Sequence, residues 1–145
     1  YCVRKEIGYV KWSQVGKEYR PLINKWKVLV AKASPGEDTL PHTIISAPVL
    51  SEPKSVCTNG LFVVKTVKSK VEAQNLIDYM HTSFFRFMML LAKNGHNLTN
   101  HVYRYVPVLD LSKKWTDKML FKRYGITKSE QDFIKSVIKD INDKG

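Results

Sequence analysis

Cysteine is nearly absent. Cys2 and Cys57 are the chain's two thiols, and they make neither a zinc-ligand spacing nor a disulfide framework, which suits a reducing cytoplasm. The seven glycines are scattered and no Gly-x-Gly occurs, so a glycine-rich phosphate-binding loop is excluded. No run of about 18 apolar residues exists, so no membrane-spanning helix is expected and a membrane is not a predicted partner. No serine stands in a nucleophile-elbow context. The four histidines, His42, His81, His96 and His101, have no cysteine or carboxylate beside them at ligand spacing. Catalytic and metal-binding residues are therefore expected to be lacking. Acidic side chains are also scarce: 13 against 24 lysines and arginines, a formal charge of +11. An excess of that size favours polyanionic partners.

What is present supports a folded core. With 43% hydrophobic and 11% aromatic residues, 145 residues suit one compact domain, taken as 1–145. The chain opens Tyr1-Cys2-Val3 without an initiator methionine, and is expected to be a fragment of a larger protein. The longest hydrophobic pattern runs from Ser69 to Asn94. Ser69-Lys70-Val71-Glu72 reads as a capping box, and Ala73, Leu76, Ile77, Met80, Phe84, Phe87, Met88 and Leu91 recur every three or four residues. One continuous central helix is predicted, with Arg86 on its polar face and Asn94-Gly95 as a left-handed stop.

Before it, residues 1–15 read as extended, Lys25 to Ala33 as a strong strand, Thr43 to Leu50 as an edge strand, and Gly60 to Val67 as a third. After it, Tyr103 to Val108 reads as extended and Trp115 to Tyr124 as a helix stopped by Gly125. Thr127-Lys128-Ser129-Glu130 is a second capping box. It opens a last helix with Phe133, Ile134, Val137, Ile138 and Ile141 inward. The expected class is α/β in the broad sense: a single α+β domain with a small, partly antiparallel mixed sheet, a long central helix and C-terminal helices.

Basic and aromatic residues alternate at Arg4-Lys5 with Tyr9, at Lys25-Trp26-Lys27 and at Tyr103-Arg104-Tyr105, the combination that holds phosphates and stacks on bases. Arg4, Lys5, Lys25, Lys27 and Lys32 are the candidate phosphate contacts. Asn94, His96, Asn97, Asn100, His101 and Arg104 concentrate hydrogen-bonding groups suited to base edges in one loop. The lysines of the C-terminal helices, Lys118, Lys122 and Lys135 among them, are read as solvated faces. A weaker reading is a metal-dependent nuclease built on Asp38 and Glu52-Pro53-Lys54, and another is a basic protein-interaction module.

The segments Lys25 to Ala33, Glu72-Ala73…Phe84-Phe85-Arg86-Phe87, Tyr105-Val106-Pro107…Asp110 and Trp115-Thr116-Asp117…Tyr124-Gly125-Ile126-Thr127 occur here in one order. Together they resemble the C-terminal target-recognition domain of adenine-specific DNA methyltransferases from bacterial restriction–modification systems, over about Lys25 to Ile141. The resemblance implies a non-catalytic DNA-recognition domain with double-stranded DNA as partner. It implies that S-adenosylmethionine and the Asn/Asp-Pro-Pro-Tyr/Phe loop that grips the extruded adenine belong to a catalytic domain of the same polypeptide. No such loop occurs in this chain, so no cofactor is expected in it.

Overall fold

Strand β1, Trp26–Ala31, is the centre of the molecule. The computed structural model describes residues 8–34, 40–95, 98 and 100–139. β1 lies between β2 (Val49–Ser51) and β3 (Leu61–Val67) and is antiparallel to both. Val28, Leu29 and Val30 are all fully buried, as an apolar run without alternation requires of a strand covered on both faces. Val28 and Val30 join the main core, while Leu29 shares the opposite face with Lys27. On β3 the pairing slips by one residue: Val28 faces Lys65 and Leu29 faces Val63. This bulge keeps Val67, Val64 and Phe62 against the core and leaves Lys65 exposed, where strict alternation would turn Lys65 inward.

The domain is α+β, combining this sheet with five α-helices: α1 Arg20–Ile23, α2 Lys70–His81, α3 Ser83–Leu90, α4 Asp117–Arg123 and α5 Lys128–Val137. The sheet itself is wholly antiparallel; the expected parallel component is reduced to an isolated bridge between His42 and Ile138. The edge strand predicted over residues 43–50 shortens to Val49–Ser51. Ile44 takes a left-handed φ of 68°, and Pro48 has no N–H to donate. The extended reading of residues 1–15 gives way, in its described part, to a 3-10 turn at Trp12–Gln14. Tyr103 to Val108 is not a strand either: a 3-10 helix, Asn100–Tyr103, leads into a turn closed by Val106 N donating to Tyr103 O.

The central helix is two helices. Thr82, with ψ at 147°, ends α2 and begins α3. Its hydroxyl donates to Tyr79 O and accepts from Phe85 N. The Asp117 carboxylate, from the start of α4, accepts from Ser83 N and Phe84 N at 2.9 Å each. The free amides of a new helix are thus met by a residue distant in sequence. α3 then stops at Leu90, short of Asn94-Gly95, and leaves Leu91 57% exposed instead of inward.

Arg86, expected on a solvated face, is buried, with its guanidinium donating to Thr82 O, His81 O and Lys139 O. Local signals hold better at the helix starts. Ser69 Oγ accepts from Glu72 N, although Glu72 reaches back to Lys68 N rather than to Ser69. The Thr127–Glu130 box forms as predicted. Along α5, Ile134 and Ile138 are buried and Val137 packs on the core, whereas Phe133 is 58% exposed; Ile141 lies outside the described residues.

Candidate nucleic-acid interface

The chain beyond α3 returns to the far end of β1. Leu98 N donates to Lys32 O at 2.8 Å, and Lys32 N donates to Gly60 O at 3.0 Å. Leu98 and Val102 are buried, and Tyr103 stacks on Phe62 at 6.0 Å and meets Phe85 edge-on. Burial pushes the Tyr103 hydroxyl well above its ordinary pKa, so it stays neutral. With these residues as anchors, Asn100, His101, Arg104 and Tyr105 are turned to solvent. The Arg104 guanidinium lies over the Tyr105 ring at 5.2 Å and contacts His101 Nε2. At the strand end that Leu98 pairs with, the Lys32 ammonium donates to Asn59 Oδ1, and both residues line a cavity with Gln14 and Tyr19. The exposed turn carries an amide, an imidazole, a guanidinium and a ring 51% exposed, groups that can hold phosphates and meet bases, and it is tied at Leu98 to the backbone of Lys32.

The predicted phosphate contacts fare unequally. Lys32 is exposed, and its backbone oxygen accepts from Leu98 N at the start of the turn. Lys25 is exposed but stands beyond the other end of β1, about 23 Å away along an extended chain. Lys27 does not face solvent at all. It is 3% exposed, and its ammonium donates to the carbonyls of Leu22, Ile23, Lys25 and Glu52. Burial lowers its pKa, opposed by the nearby Cys57. A phosphate contact from Lys27 is therefore withdrawn, because its donors are already engaged inside the fold. Asn94 is exposed beside Gly95, whose φ is 91°. Arg4, Lys5, His96 and Asn97 lie outside the described residues. Tyr105, expected from the basic–aromatic pattern, is exposed, whereas Asn59 carried no signal in the sequence. Asn59-Gly60 looks like turn chemistry alone until Lys32 is placed against it.

Several acids are turned to backbone amides: Glu72 to Lys68, Asp117 to Ser83 and Phe84, Glu130 to Thr127, and Asp110 to Ser112. Ser112 holds the Asp110 carboxyl below its usual pKa, and Thr127 does the same for Glu130. Two ion pairs join described residues, Lys114–Asp78 and Lys128–Asp132. The excess of cations is thus left largely to solvent.

Glu52-Pro53-Lys54 forms a turn after β2, with Lys54 at a φ of 61°, so it lacks the regular strand that would aim a carboxylate and a lysine at one metal. Asp38 lies outside the described residues, and among those described no three metal-ligating side chains cluster. No described helix is long and apolar enough to cross a membrane. No protein-family model, curated protein or solved structure matches the chain.

Proposed function

We propose that the chain recognises double-stranded DNA as the target-recognition domain of a restriction–modification N6-adenine DNA methyltransferase, and is non-catalytic by itself. S-adenosylmethionine and the methyl transfer then belong to the catalytic domain of the same polypeptide. The ordered set of motifs described above supports the family, and the uncompensated positive charge supports a polyanionic partner. The observation that carries the reading is the hydrogen bond from Leu98 N to Lys32 O. It ties the start of the amide-, histidine- and arginine-bearing turn to the backbone of an exposed lysine, which supports phosphate contacts and base-edge readers acting from neighbouring segments.

Fluorescence anisotropy with a duplex selected from a random pool and with its scrambled counterpart tests this. Asn100→Ala and Arg104→Ala are expected to reduce discrimination by about 1–3 kcal/mol at one base pair. Lys32→Ala should weaken both duplexes alike and lower the salt slope by about 0.9. Selection that yields no preferred duplex, or loop variants that discriminate like the parent, would overturn the reading.

A further inference from the structure

Helices α4 and α5 enclose a groove of about 560 Å³ that the surface at residues 98–105 does not include. Its floor is Phe121, Ile126 and Gly125, and Lys118, Lys122, Lys135, Gln131 and one acid, Asp117, line it. The floor is held in place. Gly125 turns at a φ of 64°, Ile126 N donates to Phe121 O at 2.9 Å, and Gln131 Nε2 donates to Ile126 O at 2.8 Å. Lys118 and Lys122 stand one turn apart on α4, about 6 Å along its axis, with Lys135 supplied by α5.

The acids near this groove are turned away from its lysines. The Asp117 carboxylate caps α3, Glu130 caps α5, and Asp132 pairs with Lys128. No ion pair joins Lys118, Lys122 or Lys135 to another described residue. Three ammonium groups against the one lining carboxylate leave an excess of positive charge in one concavity, which focuses a positive potential there. The lysines act as point charges, and the groove's one amide nitrogen is already bonded to Ile126 O. Such a site grips phosphates and does not read bases.

We propose that the α4–α5 groove binds the sugar–phosphate backbone of duplex DNA, as a second contact separate from the 98–105 surface. The identity of the polyanion rests on the DNA-recognition reading above; the groove itself does not. α3 packs against both places, with Phe85 meeting Tyr103 and Phe84 stacked on Tyr124 at 5.1 Å, so one rigid helix fixes the two contacts relative to each other.

The test uses the 145-residue chain, a mixed-sequence 30-base-pair duplex and polyglutamate, each followed by anisotropy across a salt series. The triple variant K118E/K122E/K135E is expected to bind the duplex at least about tenfold more weakly in 0.1 M salt, with a salt slope lower by about 0.9 for each phosphate no longer neutralised. Its cognate-to-scrambled ratio should stay unchanged. The triple Lys→Gln variant, checked by circular dichroism, should show the same direction and guards against a folding defect. If the charge-reversed chain binds duplex as the parent does, the groove proposal falls while DNA recognition stands. Loss of polyglutamate binding with duplex binding retained would make the groove a protein-docking site and equally overturn the proposal. If the groove variants lose DNA but Asn100→Ala and Arg104→Ala keep full discrimination, the groove stands and the base-reading surface falls. A parent chain that binds no duplex overturns both.

Discussion

Lys27 and Lys32 belong to the same strand region and to the same basic pattern, yet one donates to four carbonyls inside the fold and the other stands at the edge of an exposed polar surface. The difference comes from what each end of β1 meets. At the Lys27 end, α1 and the turn after β2 converge their carbonyls on one point, and the ammonium joins the Lys54 and Lys25 amides and the Ser55 hydroxyl in donating to them. At the Lys32 end the backbone is already paired, to Gly60 and Leu98, so its side chain is released to the surface. Positive charge in a sequence therefore overstates positive charge available to a ligand.

The largest expected effect would break this contrast if it failed. Lys27→Ala removes a buried side chain together with the hydrogen bonds of its ammonium and should cost about 2–4 kcal/mol of stability. Lys32→Ala should stay within about 0.5 kcal/mol of the parent. Urea denaturation midpoints of the two variants measure this directly, and equal midpoints would mean that the Lys27 cage is incidental.

Asp117→Ala sharpens the same point for an acid. Its two amide contacts open α3 across a long gap in sequence, so its loss should cost about 1–2 kcal/mol, with Asp117→Asn recovering part of it. Thermal melts rank the three proteins; an alanine variant as stable as the parent would remove Asp117 as the reason α3 starts where it does.

The smallest effect is on pH dependence. Burial and the Arg86 cation lower the His81 pKa, opposed by Asp78, and its Nε2 is buried without a partner. The folded pKa therefore lies below the unfolded value of about 6.5, and the unfolded chain takes up the proton first as pH falls. Stability from the neutral ring should be complete above about pH 6.5 and decline as pH drops through that value toward the folded pKa. Melting temperatures between about pH 7.5 and about pH 5.5 should fall in the parent and flatten in His81→Gln. The lowered carboxyls act lower. Burial alone would raise Asp78, but its bonds from Lys114 and Gln74 outweigh that, so its contribution is present above about pH 4 and lost below it. A parent melting curve insensitive to pH above about 5 would show that His81 is not held neutral by the fold.

Much of the fold was readable because its signals are local. The unalternating run Val28-Leu29-Val30 marks a strand buried on both faces, and Thr127-Glu130 closes its box within one helical turn. The break at Thr82 was not readable, because Met80, Phe84 and Phe87 keep the helical period across it. The helix ends at Thr82, and the amides freed there at Ser83 and Phe84 are met by Asp117, a partner that periodicity carries no trace of. The loop at 94–104 was recognisable as polar, but its neighbours Lys32 and Asn59 were not recognisable as such.

The sequence by itself determined the composition of the core, the strands β1 and β3, the helix starts at Ser69 and Thr127, and the sign of the charge, since each depends on residues adjacent in the chain or one turn apart. Tertiary structure alone decided which cations reach solvent, where α3 begins and which loop joins which strand. Those outcomes depend on backbone donors and acceptors left unsatisfied in one segment and met by another, and such pairings exist only once the segments have come together.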